Sequence, residues 1–355
     1  MGLPFFVNGA GIKRDQMVAI DLGSRTTKAV HLQRRGSDIV LTNYTVMDAP
    51  IFEKTLPVEL LGEHLKSVVQ ALNTKTKLLS LAVGVNDSVV RLADMPRMPI
   101  DDMRQAIKFN TKNYLQQDLP GHVFDCYVLP QSKGTDSPSM SPAGQKQKVL
   151  VTGAKTKFLD DLIEASKFAG LVTDHVVPGL ICPGNAFEVA LPEAFSSEVV
   201  ALVDVGFNSS FICIMQRGAM VLNRVVAIGG NRLTEGISES MNISYGEAEG
   251  IKVGMPQEVQ SQIESLVSPL GRELRASIDF YEHQNDQSVS RVYLSGGSTK
   301  SELILQSLQA ELMAECATWN PASTLQTAMP ESQMAEFPQV APQLTVALGA
   351  AYTAL

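Results

Sequence analysis

Two short turns in this chain carry residue types that could bind a phosphate group. The first lies in "VAIDLGSRTTKAV", where an apolar run ends in an aspartate, passes a glycine and hydroxyl residues, and resumes beside a lysine. The second lies in "VVALVDVGFNSSFICIM", which repeats the order of apolar run, aspartate, glycine and hydroxyl residues. The candidate residues are Asp21, Gly23, Ser24, Arg25, Thr26, Thr27 and Lys28 in the first turn, and Asp204, Gly206, Asn208, Ser209 and Ser210 in the second.

The composition of these turns suits a nucleotide tail. Backbone N–H groups and hydroxyls of such a turn can face phosphate oxygens, and an aspartate beside it can hold a hydrated magnesium ion. Lys28 would add a point charge, unless it is an ordinary exposed strand lysine. A third stretch, "LSGGSTKSELI", brings Gly296, Gly297 and Ser298 to a helix start, where paired glycines let the backbone approach a phosphate or ribose closely.

The composition of the whole chain limits its function. Its 355 residues are 45% hydrophobic, which is enough for at least two domains, and the net charge of −8 argues against a nucleic acid partner. The four cysteines form no CxxC pair and the five histidines show no metal-ligand spacing. No apolar run reaches the roughly 18 residues of a membrane span, and the apolar patch at residues 3–7 is too short for a signal sequence. We therefore expect an acidic cytoplasmic protein with reduced, packed thiols.

The order of predicted elements indicates two similar lobes. Residues 1–86 predict a three-stranded meander, a crossover helix and a fourth strand, and the strand–turn–strand unit returns at residue 199. Residues 87–176 predict a small α/β insert with two strands, which are separated by a mobile stretch rich in serine and proline at 131–147. The first helix of the insert is predicted from the spacing of Met103, Ile107, Asn110 and Tyr114.

The motifs resemble those of the actin superfamily. Asp21-x-Gly23-(x)4-Lys28 looks like its first phosphate motif, Asp204-x-Gly206-(x)3-Ser210 like its second, and "YLSGGSTKSEL" like its adenosine motif. Within that superfamily the chain resembles the PilM family of type IV pilus assembly, through "GGNRLTEGI", "YGEAEGIKVG", "SIDFYEHQ", "WNPAS" and "ALGAAYTAL". The FtsA family has a similar insert, but it ends in a membrane-binding amphipathic helix that this chain does not show.

The resemblance implies an α/β, actin-like fold, which is a duplicated ribonuclease H-like architecture with an FtsA/PilM-type inserted subdomain. It implies bound ATP and Mg²⁺, with Asp21 and Asp204 holding the metal through water. Gly229 and Gly230 join the candidate nucleotide site, and Glu273 and Ser277, one turn apart on a helix over 261–285, are placed at the base and ribose unless they are plain surface. The implied ranges are 1–86 and 177–198 for the first lobe with a returning helix at 343–355, 87–176 for the insert, 199–250 and 288–342 for the second-lobe core, and 251–287 for its outer part.

Slow or absent ATP hydrolysis is the expectation. Active members of the superfamily place an acidic or amide side chain where this chain has Val177, and a valine cannot orient water. Asp174, three residues earlier, is an alternative for that role. The other interpretations are a hydrolysing ATPase or small-molecule kinase of the same fold, or an adaptor that has lost the nucleotide. The kinase interpretation lacks a second acidic motif.

The resemblance also implies a partner. In similar proteins a groove at the insert takes the cytoplasmic N-terminal peptide of a PilN-like inner-membrane protein, which would place this chain at the inner membrane without an anchor of its own. Candidate groove residues are Met98, Ile107, Asn110 and Tyr114, which could equally form the insert core. Further expectations are other pilus assembly proteins as partners, membrane contact only through partners, and a possible homo-oligomer or ring.

Overall fold

The structure is a computed structural model that describes residues 14–51, 56–130 and 146–355. The apolar patch at residues 3–7 and most of the serine- and proline-rich stretch lie outside the described residues. The strands are β1 Gln16–Leu22, β2 Thr26–Arg35, β3 Asp38–Asp48, β4 Leu78–Val83, β5 Ser88–Pro96, β6 His122–Val128, β7 Lys146–Lys155, β8 Val172–Pro178, β9 Val199–Val205, β10 Ser210–Gln216, β11 Ala219–Val226, β12 Arg291–Ser295, β13 Cys316–Thr318 and β14 Gln326–Thr327.

Twelve α-helices connect these strands within the described residues. They are α1 Val58–Ala71, α2 Ile100–Phe109, α3 Thr111–Leu115, α4 Thr156–Phe168, α5 Cys182–Ala190, α6 Pro192–Ser197, α7 Gly230–Met241, α8 Tyr245–Gly254, α9 Gln260–Asn285, α10 Glu302–Leu312, α11 Glu331–Val340 and α12 Thr345–Tyr352. None of the described helices combines the length and the apolar character needed to cross a bilayer.

The two large sheets share one topology, which confirms the duplication predicted from the sequence. The first has the order β14-β3-β2-β1-β4-β8 and the second the order β11-β10-β9-β12-β13. In each sheet an antiparallel meander of three strands is followed by two parallel strands. Asp21 and Asp204 occupy the same place in the two sheets, near the end of the strand that joins the meander to the parallel strands.

Helices cover both faces of the first sheet because successive strand residues point to opposite sides. Val18 and Ile20 of β1 pack with Leu65 of α1 and Leu162 of α4. Met17 and Ala19, on the other face, join a core that includes α5, α12 and residues of the second sheet. In the second sheet, Ala201 and Val203 pack against α9 and α10. The core beneath α5 and α12 therefore joins the two lobes.

The insert is narrower than the range 87–176 expected from the sequence. Its sheet has the order β5-β7-β6, is antiparallel, and encloses a core with Met103 and Ile107 of α2. However, β8 pairs in parallel with β4, and α4 packs on α1, so both belong to the first lobe. β5 was not predicted, and α2 ends at Phe109 because Asn110 leaves the helical conformation, with φ −143° and ψ 49°.

The outer part expected at 251–287 is also divided differently. Residue 251 lies inside α8. The long helix α9 buries Ile263, Leu270 and Ile278 directly against strands of the second sheet. A buried helix stripe of this kind belongs to the lobe core, because one face of a sheet needs such a cover.

The crossing of α5 and α12 is set by one glycine. A Cβ on Gly349 of α12 would overlap the backbone of Cys182 at the start of α5. Because that neighbour is backbone, it cannot rotate away as a side chain could. Two helix backbones therefore touch in the layer between the two sheets.

We predict that Gly349→Ala destabilises the protein by roughly 1–3 kcal/mol, because the added methyl group must push the two helices apart. The matched control is Gly250→Ala in α8, where a Cβ meets open space and helix propensity favours alanine by about 1 kcal/mol. Denaturant unfolding of both variants gives the comparison. Equal stability of Gly349→Ala and wild type would show that the crossing is not close-packed.

Candidate nucleotide site between the lobes

The first turn joins β1 to β2 and is stabilised by a buried charge pair. Asp21 and Lys28 are cross-strand neighbours, and Lys28 Nζ donates to Asp21 Oδ2 at 3.2 Å. Both side chains are largely buried. A Cβ on Gly23 would lie 2.6 Å from the carbonyl oxygen of Thr26, so the tight turn requires glycine. Ser24 and Arg25 are exposed at the tip of the turn.

The second turn joins β9 to β10 and repeats that geometry. A Cβ on Gly206 would lie 2.6 Å from the carbonyl oxygen of Ser209, and the Gly206 N–H donates to the same oxygen at 3.1 Å. Asn208 is exposed at its tip. The duplication thus extends to the conformation of the candidate phosphate-binding turns.

Three further glycines from the candidate set pack on the second turn. The Gly230 N–H donates to the carbonyl oxygen of Gly206 at 2.9 Å, and a Cβ on Gly229 would overlap the backbone of Phe207. Gly296 has φ +98°, and a Cβ there would lie 2.5 Å from the carbonyl oxygen of Val205. The start of α7 and the turn after β12 therefore lie directly against the second turn.

Ser298 and Ser295 extend this contact. The Ser298 hydroxyl donates to the carbonyl oxygen of Gly206 at 3.3 Å, and the Ser295 hydroxyl donates to Asp204 Oδ2 at 2.9 Å. Gly297 is exposed beside them. Ser295 was missed in the sequence, although it directly precedes the two glycines of the third motif.

The carboxylates of the two turns lie in one electrostatic environment. Burial raises the pKa of Asp204 to about 6, and the Asp21 carboxylate adds to the shift while Lys28 and the Ser295 hydrogen bond oppose it. Burial also raises the pKa of the Cys182 thiol, together with the charges of Asp21 and Asp204. The start of α5 therefore lies close to both aspartates, and an additional positive charge there would relieve their repulsion.

The tips of the turns also meet. The Arg25 guanidinium carbon lies 5.8 Å from the centroid of the Phe207 ring, which places a cation of the first lobe over an aromatic ring of the second. Phe207 was not among the residues selected from the sequence.

Two candidate hydroxyls face away from the turns. Thr27 is buried and its hydroxyl is hydrogen-bonded to His64 Nε2 of α1 at 2.8 Å. Ser210, at the equivalent place, is buried and donates to the carbonyl oxygen of Ile228 at 2.7 Å. These side chains stabilise the strands after the turns, and the hydroxyls of Ser24, Thr26 and Ser209 remain as candidate ligands.

Glu273 and Ser277 of α9 make contacts within the second lobe. Glu273 pairs with Arg224 of β11, and Ser277 is buried and donates to the carbonyl oxygen of Glu273 at 3.0 Å. The helical spacing correctly put both residues on one helix, but it did not show which strand that helix face meets.

A polar cluster at α7 and α8 escaped the sequence analysis. Lys252 Nζ lies 2.6 Å from Glu249 Oε2 and donates to the carbonyl oxygen of Gly230 at 3.2 Å. The buried Thr234 hydroxyl donates to Glu249 Oε2 at 2.5 Å. The stretch "YGEAEGIKVG" contained this signal, because a glutamate and a lysine three residues apart share a helix face. The cluster supplies a cation and a carboxylate next to Gly230.

The residues considered for water activation are both committed elsewhere. Val177 is a fully buried core residue of β8 and pairs with Ala82. Asp174 is 4% exposed and accepts from Arg14 at 2.8 and 3.0 Å. It lies three residues from Val177, or about 10 Å along a strand. Asp174 therefore cannot replace the missing acidic side chain.

The insert candidates are mainly core residues. Ile107 is fully buried, and Met98 and Tyr114 pack against the same insert core. Asn110 is exposed between α2 and α3. Of the four, Asn110 has an exposed side chain, Met98 and Tyr114 are partly buried, and Ile107 is inaccessible.

Comparison with known families identifies the relationship. A model of the family "Type IV pilus assembly protein PilM" matches residues 19–354, which include both turns, the insert and α12. The chain belongs to the PilM family. Its resemblance to that family, read from the motifs, is confirmed.

Two curated relatives are FtsA cell-division proteins. FtsA of Bacillus subtilis (strain 168) is 33% identical over 103 residues, which is 29% of this chain and 22% of FtsA. FtsA of Neisseria meningitidis serogroup B is 24% identical over 248 residues, which is 67% of this chain and 55% of FtsA. The matches thus span about a fifth and about half of the lengths of these relatives.

Solved structures show that the PilM-family chain has an actin-like fold. It is similar to the PilM-PilN type IV pilus biogenesis complex with a TM-score of 0.81 and 21% identity, covering 96% of this chain and 98% of the other. It is similar to EutJ from Carboxydothermus hydrogenoformans with a TM-score of 0.57 and 14% identity, covering 98% of this chain and 92% of EutJ. It is also similar to MreB5 of Spiroplasma citri bound to AMPPNP, with a TM-score of 0.52 and 9% identity, covering 95% of each chain. The predicted fold class is confirmed.

Asp204 yields a pH-dependent prediction. Because its pKa rises from 3.8 in an unfolded chain to about 6, the folded protein holds this proton more tightly, and ionisation lowers stability as pH rises through this interval. We predict that Asp204→Asn, which still accepts from Ser295, is more stable than wild type above pH 6 by roughly 1–3 kcal/mol. The difference should vanish below pH 4.

Unfolding measured across this pH range tests the sign. The control is Asp94→Asn, an exposed carboxylate 3.1 Å from Lys148, whose removal should change stability by less than about 1 kcal/mol. A stability gain in Asp204→Asn that persists unchanged at pH 4 would contradict the raised pKa.

Proposed function

We propose that this protein is an ATP- and Mg²⁺-binding scaffold of type IV pilus assembly. The observation that carries the nucleotide part is the pair of glycine turns with opposed aspartates between the lobes. Membership of the PilM family supports the assembly role. The actin-like relative MreB5, which was solved with AMPPNP, supports a nucleotide between such lobes.

The residues present fit a metal-bound polyphosphate. Asp21 and Asp204 offer carboxylate oxygens, the ligands that magnesium prefers, and a raised pKa at Asp204 indicates a site that gains from a cation. Lys28 and the backbone N–H groups of both turns would hold phosphate oxygens. Lys252, Glu249 and the glycines at 296 and 297 would hold the nucleoside end. Bound Mg²⁺ beside Asp21 and Asp204 would neutralise part of the phosphate charge.

Binding without rapid turnover is the role that this site supports. Val177 is apolar and buried where hydrolysing relatives orient water, and Asp174 is held by Arg14. Neither of the two β8 residues considered for this role can therefore act as a general base near the turns. A nucleotide that stays bound can fix the position of the lobes.

Loss of either turn carboxylate should weaken nucleotide binding. We predict that Asp21→Ala and Asp204→Ala each lower the affinity for ATP with Mg²⁺ about tenfold or more, since a charged hydrogen-bonded ligand contributes about 1.5–3 kcal/mol. Calorimetric titration measures this, with Asp94→Ala as the surface control. Equal affinities for wild type and both turn variants would rule out the two-turn site.

We further propose that the chain binds the cytoplasmic N-terminal peptide of a PilN-like inner-membrane protein. The structural relative is itself a PilM-PilN complex. Such a partner would hold this chain at the inner face of the membrane and among the other assembly proteins, and repeated copies in a ring would raise a micromolar peptide affinity by avidity.

A cavity at the junction of the insert and both lobes suits the peptide. Its volume is about 190 Å³, and the insert, α5, α6 and the β10–β11 hairpin contribute to its walls. The apolar contributors include Leu129, Ile181, Phe195, Met215 and Met220. An extended peptide can place one or two apolar side chains there while its backbone binds along the insert.

A cavity-filling variant tests this seat. Gly184 of α5 lines the cavity, and a Cβ there would lie 3.6 Å from Met215, an ordinary contact. We predict that Gly184→Leu lowers affinity for the synthetic N-terminal peptide of the PilN-like partner at least tenfold, measured by fluorescence polarisation, with ATP binding unchanged.

The comparison variant is Asn110→Ala at the exposed end of α2. It should bind the peptide like wild type if the cavity is the seat. Loss of binding in Asn110→Ala with full binding in Gly184→Leu would move the seat to the α2 surface, as the sequence suggested.

A further inference from the structure

We propose that Arg25 and Phe207 form a latch across the cleft, a contact between the lobes that slows the release of bound nucleotide. This inference rests on the proposed nucleotide site but assigns a role to a residue pair that the site itself does not require. The pair is the contact between the tips of the two turns, with the guanidinium carbon 5.8 Å from the ring centroid.

The backbone on each side holds the latch residues in place. The Arg25 carbonyl oxygen accepts from the Ala49 N–H at 3.0 Å, which ties the first tip to the residue after β3. The Phe207 carbonyl oxygen accepts from the Asn231 N–H at 2.8 Å, which ties the second tip to α7. Each tip is therefore fixed to its own lobe, so separation of the two side chains requires separation of the lobes.

The duplicated turns differ at these positions. Phe207 follows Gly206 as Ser24 follows Gly23, and Arg25 corresponds in order to Asn208. The first turn thus has a cation, Arg25, where the second has the small polar residue Asn208. The second turn has an aromatic ring, Phe207, where the first has Ser24. A phosphate-binding turn needs neither a large ring nor a guanidinium at its tip, but a contact between turns needs both.

Charge on the second lobe favours the same position of Arg25. Although burial opposes it, the pKa of Glu249 is lowered by hydrogen bonds from Lys252 and Thr234 and by the charges of Lys252 and Arg25. The guanidinium therefore lies near a carboxylate of α8 as well as the ring. Within the described residues it makes no hydrogen bond, so it can bind a phosphate oxygen without losing an existing one.

The pair adds a contact between the lobes at the turns. The lobes are joined where α5 crosses α12, at Cys182, which lies near both aspartates. Each turn tip follows its aspartate along the chain, after the end of β1 or of β9. A contact between the tips therefore opposes separation of the lobes at the turns themselves. A cation over an aromatic ring also gains strength when a ligand excludes water from it.

A double-mutant cycle on nucleotide release tests the latch. The variants are Arg25→Ala, Phe207→Leu and the double mutant, each loaded with methylanthraniloyl-ATP and Mg²⁺ and chased with excess ATP. Each single variant should release the labelled nucleotide about 3- to 10-fold faster than wild type. The double mutant should release it no faster than the more affected single variant, because both remove the same contact.

Two further variants separate the latch from other roles. Phe207→Trp keeps an aromatic ring and should release nucleotide like wild type. Arg35→Ala removes an exposed arginine at the far end of β2 and should also have no effect. Thermal unfolding of every variant shows whether a rate change reflects a damaged fold.

The outcomes distinguish the latch from the nucleotide site. Fully additive effects of Arg25→Ala and Phe207→Leu, or a wild-type rate in Phe207→Leu, would overturn the latch while leaving nucleotide binding intact. In that case Arg25 acts on the nucleotide alone. A folded wild-type protein that binds no labelled ATP would overturn the nucleotide site and the latch together.

Discussion

The contact between two helix backbones at Gly349 and Cys182 is the constraint on which the arrangement of the lobes depends. Two sheets with the same topology can face one another closely only if the layer between them is thin, and α5 and α12 cross there with no side chain at the contact. The small residues of α12, all buried from Thr345 to Tyr352, follow from this requirement. The crossing holds the lobes together near the aspartates, and the contact between Arg25 and Phe207 is a separate contact between the lobes at the turn tips.

The same crossing explains why the Asp204 carboxylate is costly to the fold. It brings two carboxylates toward each other near a buried thiol, with one lysine to offset them. A chain selected for stability alone would not retain this arrangement, and sites that oppose local stability are typical of ligand binding. The cation that would relieve the repulsion is therefore the natural complement of the structure.

The sequence predicted those parts of the site that depend on local geometry. Aspartate, glycine and lysine spacing in a strand–turn–strand unit fixes the turn, and Asp21, Gly23 and Lys28 lie where that spacing puts them. The orientation of Thr27 required knowledge of α1, which packs on the other face of β2 and engages the hydroxyl through His64. The positions of Glu273 and of α4 depended in the same way on which distant strand or helix each one meets. Phe207 could not be selected, because the sequence does not show that Arg25 of the other turn lies over its ring.

The cavity near Gly184 is lined by residues of the insert and of both lobes. Its walls include Leu129 of the insert, Ile181 at the start of α5 and Met220 of the second lobe, so a change in the position of the lobes would change its volume. The proposed nucleotide, which would set the angle between the lobes, and the proposed peptide, which would fill the cavity, would therefore act on one shared variable. By linkage, the factor by which the nucleotide changes the peptide affinity equals the factor by which the peptide changes the nucleotide affinity. Binding of the peptide at the membrane would then change the lifetime of the bound nucleotide without hydrolysis of the nucleotide.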